Sequence, residues 1–327
     1  MENFPNESPE NNSDHKKEIV PTISPITAAV FGLISVFILY QFGGGLLTLA
    51  IFGFDLKNAD VNALRLMQAA GQLLFILLPA LILTKFVYED VSTIIRLKLP
   101  TAKEVIIFLI GMAVLIPLLQ SFLYIQNFII NELAGAVPFI ESIKSIFDEL
   151  DKLVEDTYVS LLTQNSLFEA IFIIIIVAVV PAICEEVFFR GFVQSSFEYK
   201  LTPFWAALAS AFVFGLYHFN PYGLIGLIAL GTYFGYATYK SNSILVAVIL
   251  HFLNNFFAVT AFFVLGNDDF MESTSVDPAN IGIYIFTFII LLTLFLLFLF
   301  LVNKLYLNQA HNNLQQNSEK GGENDLP

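Results

Sequence analysis

Long runs of apolar residues dominate this chain and limit the folds that it can adopt. Eight such runs lie at roughly 26–54, 63–87, 104–130, 167–197, 204–218, 222–239, 243–265 and 281–306. About 20 apolar residues are enough to cross a ~30 Å hydrocarbon core as an α-helix. Hydrophobic residues make up 57% of the chain and charged residues only 13%, whereas soluble domains carry roughly 25% charged residues. The sequence therefore predicts an all-α fold, a polytopic bundle of about eight transmembrane helices.

The segments outside these runs divide the rest of the chain. The two ends, 1–25 and 307–327, are polar and are predicted to be disordered tails. Residues 26–130 hold the first three spans, and 281–306 form the last. Residues 131–166 are an acidic segment in which apolar residues repeat at helical spacing, namely Phe139, Ile140, Ile143, Ile146, Phe147, Leu150 and Leu153. We expect this segment to lie on the membrane surface as an amphipathic helix, or to cap the bundle.

Basic residues favour one orientation in the membrane. With eight spans both termini lie on one side, which receives eleven Lys and Arg residues, whereas the other side receives four. Because cytoplasmic loops are enriched in positive charge, we expect both termini in the cytoplasm, in a bacterial inner membrane. The acidic segment 131–166 and the acidic loop 267–278 then face outward. The net charge of −13 does not indicate nucleic acid as a partner, so the expected surroundings are the lipid bilayer.

Polar residues interrupt three of the predicted spans. They are Glu185, Glu186 and Arg190 in the fourth span, His218 at the end of the fifth, and His251 and Asn255 in the seventh. Ionisable groups at bilayer depth are costly and mark a functional site by default. At a rise of about 1.5 Å per residue, Glu185, His218 and His251 lie roughly 18, 21 and 12 Å from the cytoplasmic ends of their spans. We expect one polar layer around an internal cavity, reachable from the cytoplasm.

The glutamate pair divides into two roles. Glu186 and Arg190 are four residues apart on a helix, with the acid first, which is the better order for an ion pair. Glu185 lies about 100° around the helix and stays free to act as a general base. The alternative is that both glutamates only hold the bundle together through Arg190. Pro181, one turn earlier, frees a backbone carbonyl and kinks the helix, which fits either a wet cavity or simple packing.

The histidines suggest a second function within the same layer. His251 and Asn255 share a helical face, and two donors aimed at one point are what a tetrahedral oxyanion requires. Asn254 is expected to face elsewhere. His218 shares a face with Phe214, and a histidine there can also be an ordinary hydrogen bonder between helices. The single cysteine, Cys184, excludes an intramolecular disulfide and a multi-cysteine metal site.

Three short motifs, taken in order, resemble one protein family. EEVFFR (185–190), FGLYH (214–218) and HFLNN (251–255) resemble the EExxxR, FxxxH and HxxxN motifs of the CPBP intramembrane proteases, also called the CAAX-protease and bacteriocin-processing or Abi family. The resemblance covers roughly 165–260, the catalytic core of that family. It implies that Glu185 and His218 activate water, that His251 and Asn255 stabilise the oxyanion, and that Glu186 and Arg190 support the site.

The resemblance implies an intramembrane endopeptidase that cuts a membrane-associated protein or peptide. Family members are often labelled metalloproteases, although a glutamate-based mechanism without metal is also proposed for them. Zinc takes three protein ligands plus water, and Glu185, His218 and His251 could supply them, whereas the position of Asn255 favours an oxyanion hole without a tightly bound metal. The alternatives are a non-catalytic immunity or scaffold protein of the same fold, and a transporter with a carboxylate proton relay.

Overall fold

The computed structural model describes residues 19–53, 60–272 and 277–323. Most of the predicted N-terminal tail (1–18), part of the acidic loop (273–276) and the last four residues of the C-terminal tail lie outside the described residues. Within those ranges the chain is helical and contains no strand. The predicted all-α polytopic bundle is therefore confirmed.

Ten helices can be numbered along the described chain. They are α1 (Pro25–Phe52), α2 (Val61–Tyr88), α3 (Val91–Ile94), α4 (Ala102–Ala136), α5 (Pro138–Leu162), α6 (Leu167–Phe197), α7 (Pro203–Tyr217), α8 (Leu224–Ser241), α9 (Ile244–Glu272) and α10 (Ile281–Glu323). Six of them, α1, α2, α4, α6, α9 and α10, are long and apolar enough to cross a membrane. All eight predicted runs are helical over their described residues. The fifth run corresponds to α7, which is too short to be counted among the six, and the sixth corresponds to α8, which is also not among them.

Local sequence signals explain where several helices begin. The Asp60 carboxylate accepts from the backbone N–H of Ala63 at the start of α2, and Ser166 accepts from Glu169 at the start of α6. Thr101 and Glu104 form a reciprocal capping box at the start of α4. Such caps satisfy backbone donors that have no partner within the helix.

Turns of π-helix interrupt three of the long helices without breaking them. They lie at Leu39–Gly43 in α1, Leu73–Leu77 in α2, and Ile174–Val179 and Val187–Gln194 in α6. The three consecutive glycines Gly43, Gly44 and Gly45 do not break α1, because a π-helical turn ends at Gly43 and α-helix continues from Gly44. The two π turns of α6 flank Glu185 and Glu186, and such turns occur frequently at functional sites.

The connections between helices gather at two opposite ends of the bundle. At one end Arg96 forms an ion pair with Glu198, and the N–H of Ile244 donates to the carbonyl of Arg96 at 3.1 Å. At the other end the hydroxyl of Tyr222 donates to Asp148 at 2.6 Å. The loops after α6 and α8 thus lie at one end and the loop after α7 at the other, which is the alternation predicted for spans four to seven.

Helix α5 lies across the second end of the bundle and confirms the helix predicted in the acidic segment. Arg65 of α2, which is buried, donates to the backbone carbonyls of Leu161 and Thr163 and holds the C-terminal end of α5. The apolar stripe, predicted as one face, is divided in the structure. Phe147 packs against Tyr222 at the bundle, whereas Phe139, Ile143, Ile146, Leu150 and Leu153 are exposed.

The seventh and eighth predicted helices both extend further toward the C-terminus than predicted. Helix α9 continues to Glu272, into the predicted acidic loop, and α10 continues to Glu323, through most of the predicted tail of 307–327. In the α10 extension Leu, Gln, Lys and Glu are good helix formers, so an apolar helix can continue into polar sequence.

Candidate active site

Glu186 lies at the centre of a buried charge cluster. Its Oε1 accepts a hydrogen bond from Nη1 of Arg190 at 2.7 Å and from Nδ1 of His251 at 2.8 Å. All three side chains are buried. The predicted Glu186–Arg190 pair is therefore confirmed, and the contact with His251 brings the first and third motifs to one level of the bundle.

Arg190 also ties α6 to the backbone of α8. Its Nη2 donates to the carbonyl of Gly231 at 3.0 Å, and its guanidinium lies 4.6 Å from the centre of the Phe214 ring and 5.6 Å from that of Phe234. A Cβ on Gly231 would lie 2.8 Å from Arg190 and 3.0 Å from Ala211. Glycine is thus required here for the guanidinium to reach the helix.

The contact with Glu186 fixes the chemistry of the His251 ring. A carboxylate oxygen only accepts hydrogen bonds, so Nδ1 of His251 carries the proton in this contact. Nε2 is then the ring nitrogen left to act on another group, as an acceptor in the neutral ring and as a donor when the ring is doubly protonated.

Glu185 forms no hydrogen bond with this cluster among the described residues, although its charge acts on Arg190, and it meets a different set of side chains. Its Oε1 accepts a hydrogen bond from Nε2 of Gln72, in α2, at 2.9 Å. Tyr40 of α1 and Tyr158 of α5 lie within electrostatic range of the same carboxylate. Glu185 is half-buried, whereas Glu186 is fully buried. The structure thus gives the two neighbouring glutamates different surroundings.

His218 caps the C-terminal end of α7 and lines a cavity. Its Nδ1 lies 2.8 Å from the carbonyl oxygen of Phe214. A carbonyl oxygen is an acceptor, so Nδ1 must donate, which leaves the lone pair of Nε2 available as a base. The cavity has a volume of about 270 Å³ and is also lined by Tyr158, Tyr222 and Asn254.

This cavity lies at the α5 end of the bundle. Its wall includes Val154 and Tyr158 of α5 and Asn220, Tyr222 and Gly223 of the turn after α7. The sequence predicted access from the opposite end, which it assigned to the cytoplasm. The predicted span 204–218 already placed His218 at its far end, as α7 does by ending at Tyr217, so the difference arises from grouping depths of roughly 12 to 21 Å into one layer.

Tyr158 connects the cavity to Glu185. It is about half exposed because it lines the cavity. Burial of its hydroxyl nevertheless raises its pKa, and the negative charge of Glu185 raises the pKa further. No hydrogen bond joins Glu185 to His218 in the described part of the chain, but Tyr158 lines the cavity together with His218 and lies within electrostatic range of Glu185.

Asn255 has a partner that its spacing did not predict. Its Nδ2 donates to the carbonyl of Val177 at 3.2 Å. Val177 lies in the π-helical turn that precedes Pro181, which has no backbone N–H to donate. Asn255 thus gives a hydrogen bond to the backbone of α6 where the regular α-helical pattern is interrupted. Asn254, which was expected to face elsewhere, lines the cavity and donates to Asn255 at 3.2 Å.

The three residues named as possible zinc ligands are not gathered into a metal site. Among the described residues, no group of three or more His, Cys, Asp and Glu side chains is arranged to hold a metal ion. Nδ1 of His251 contacts Glu186, and Nδ1 of His218 contacts a backbone carbonyl. These contacts leave Nε2 free on both rings, as in metal-bound histidines, so it is the placement of the three side chains, and not their chemistry, that does not fit a tetrahedral zinc centre.

Two residues near the site were missed by the sequence reasoning, Gln72 and Tyr158. Gln72 carried a signal, because it is an amide inside a predicted apolar span. Tyr158 carried none, since it lies in a segment outside the spans.

Comparison with known protein families agrees with the three motifs. Residues 167–257 match a family described as type II CAAX prenyl endopeptidase Rce1-like. The match covers less than a third of the chain, from the start of α6 to the middle of α9. No curated protein and no solved structure matches the chain. Residues 167–257 are therefore an Rce1-like region in an integral membrane protein, which is consistent with the CPBP or CAAX intramembrane protease family that the motifs predicted.

Proposed function

We propose that this protein is an intramembrane endopeptidase that hydrolyses a peptide bond of a membrane-associated protein or peptide. The observation that carries the proposal is that the two neighbouring glutamates have different hydrogen-bond and ion-pair partners. Glu186 is paired with Arg190 and bonded by His251, whereas among the described residues Glu185 forms no ion pair and accepts its hydrogen bond from a neutral amide. A carboxylate without a direct ion-pair partner, near Tyr158 of the cavity wall, is suited to take a proton from water.

In the proposed reaction Glu185 and His218 activate the attacking water. Glu185 accepts the proton as the water oxygen bonds to the scissile carbonyl carbon. Nε2 of His218, whose lone pair is free because Nδ1 donates to Phe214, assists this transfer. The proton then passes to the leaving nitrogen as the C–N bond breaks, giving a carboxylate and an amine.

His251 and Asn255 are proposed to stabilise the oxyanion. A primary amide carries two N–H donors, so Asn255 keeps one after donating to Val177. His251 can donate from Nε2 when doubly protonated, with Glu186 as the nearby anion. One positioned donor of this kind contributes about 10²–10³-fold in rate.

The family description supplies a substrate to test, a prenylated peptide with a CAAX end. We suggest an internally quenched peptide with farnesyl-cysteine fourth from its C-terminus, and the same peptide without the farnesyl group. Wild-type protein should release the last three residues of the farnesylated peptide. Cleavage of both peptides would mean that a prenyl group is not what the site recognises, and cleavage of neither by folded protein would contradict the proposed activity.

The variant Glu185→Gln tests the proposed base. Loss of a general base lowers kcat by about 10²–10⁴-fold, so cleavage should fall to that extent. Glu149→Gln, which removes a carboxylate on the exposed part of α5, is the matched control and should cleave normally. Full cleavage by folded Glu185→Gln would show that another group activates the water.

We also propose that both termini lie in the cytoplasm and that α5 faces outward. The single cysteine, Cys184, is buried, so engineered surface cysteines can be labelled against a low background. In intact bacteria a membrane-impermeant maleimide should label Glu149→Cys, and should label Lys200→Cys only after lysis. The reverse pattern would invert the proposed orientation.

A further inference from the structure

We propose that Gln72 is a positioning residue that holds the carboxylate of Glu185 in the orientation needed for catalysis. Gln72 lies in α2, outside the region that matches the family. The proposal rests on the proposed function of Glu185. Beyond that function, the proposal assigns a role in arranging the site to a residue from the first half of the chain.

The contact between Gln72 and Glu185 is buried and has one chemically allowed direction. Nε2 of Gln72 lies 2.9 Å from Oε1 of Glu185, and only 4% of Gln72 is exposed. The carboxylate has no proton to give when ionised, so the amide must turn its NH₂ group toward it. The hydrogen bond therefore fixes the Gln72 amide and, through it, one oxygen of Glu185.

A role in packing alone does not explain a buried glutamine at position 72. Its Oε1 is buried and accepts no hydrogen bond among the described residues, while the Tyr40 side chain lies near the amide. An unsatisfied buried acceptor is destabilising, and a leucine would fill similar space without one. Leu73, the next residue, begins a π-helical turn, a feature that often accompanies functional positions.

Two other glutamines within the helices show what a structural role looks like in this protein. Nε2 of Gln126 donates to the carbonyl of Tyr222 at 2.9 Å, and Nε2 of Gln194 donates to that of Gly235 at 3.1 Å. Both thus tie one helix to backbone elsewhere in the bundle. Gln194 also has an unpartnered Oε1, so this feature alone does not distinguish Gln72. The distinction is that Gln72 donates to the candidate catalytic base.

The consequence for the reaction is an effect on the chemical step. Without the donor the Glu185 carboxylate is free to rotate away from the attacking water, while the cavity beside His218, which Gln72 does not line, is unchanged. A misplacement of about 1 Å can cost about 10²-fold in rate. Gln72→Leu should therefore lower kcat by about 10–100-fold and leave KM near the wild-type value.

The first experiment measures the contact without using activity. The melting temperatures of wild type, Gln72→Leu, Glu185→Ala and the double variant are compared in the same detergent. If Gln72 holds Glu185, the change in the double variant differs from the sum of the two single changes. Additive changes would overturn the proposal, whether or not the protein cleaves a peptide.

The second experiment measures kcat and KM on the farnesylated peptide, with Gln126→Leu as the matched control. A lower kcat at constant KM for folded Gln72→Leu, with kcat retained in Gln126→Leu, supports the positioning role. An unchanged kcat would show that Gln72 only stabilises the fold. If wild type cleaves neither peptide, the proposed function fails, and the melting experiment still decides whether Gln72 holds Glu185.

Discussion

Replacing Arg190 with methionine tests the buried charge cluster quantitatively. Arg190 and Glu186 lie 2.7 Å apart, and their side chains are 1% and 0% exposed. The substitution keeps an apolar chain of similar length but removes the charge. Glu186 is then left with His251 as its one remaining partner, because its Oε2 has none among the described residues.

The expected loss of stability follows from burial. Breaking a buried ion pair by removing one partner costs about 3–5 kcal/mol, because the remaining charge is neither solvated nor compensated. Since 1.4 kcal/mol corresponds to a factor of ten, the unfolding constant should rise by about 10²–10⁴-fold. The two aromatic contacts of the guanidinium, with Phe214 and Phe234, are lost as well.

The chain offers a matched control for this prediction. Lys144 and Asp148 in α5 have the same i,i+4 spacing and the same 2.7 Å distance, but their side chains are 27% and 49% exposed. Exposed pairs of this kind contribute about 0.3–0.5 kcal/mol. Lys144→Met should therefore have almost no effect, so that burial is the difference between the two variants.

The assay is unfolding in mixed micelles by increasing sodium dodecyl sulfate, which gives the free energy of unfolding of each variant. The double variant Glu186→Gln with Arg190→Met should recover more than half of the loss, because no unpaired charge remains. The reasoning is refuted if Arg190→Met costs no more than Lys144→Met. It is also refuted if the losses of Glu186→Gln and Arg190→Met simply add.

Two further predictions concern packing and pH. A Cβ on Gly111 would clash with the Tyr233 hydroxyl, whereas nothing lies within 4 Å of a Cβ on Gly135 in the same helix. In unfolding titrations Gly111→Ala should therefore destabilise the protein by about 1–3 kcal/mol. Gly135→Ala should not destabilise it. Burial raises the pKa of Asp148, but hydrogen bonds from Lys144 and Tyr222 and the charge of Lys144 outweigh this and lower it. Because the pKa of Asp148 is lower in the folded protein, its contact with Tyr222, which anchors α5, is intact above the ordinary aspartate pKa of about 3.9. The contact is lost as the pH falls through the lowered pKa of the folded state. The hydrogen-exchange protection factors of α5, which correct for the slower intrinsic exchange at low pH, should thus fall in acid, and the acid effect should be smaller in Tyr222→Phe.

The sequence predicted those parts of the fold and site that depend on local spacing. Apolar runs located all eight helical segments, because a helix in lipid must be apolar over its full length. The i,i+4 spacing of Glu186 and Arg190 predicted their ion pair, which the structure confirms. The order of the three motifs predicted the family that residues 167–257 match.

The contacts that depend on tertiary packing could not be predicted in this way. Spacing placed Asn255 beside His251 but could not show that it donates to Val177, a carbonyl in another helix. Nothing in the order of the chain pairs Gln72 with Glu185, since their contact depends on how α2 packs against α6. The direction of the cavity depended on how α5 and the turn after α7 pack around His218, which spacing along the chain does not show.

The central claim is that Glu185 and His218 act as one water-activating unit. It is tested most directly by kcat on the farnesylated peptide for Glu185→Gln, His218→Ala and the double variant. Residues that act together give non-additive losses, so the double variant should be about as slow as the slower single variant. A double variant whose loss is the product of the two single losses would show that the residues act independently and would contradict this account.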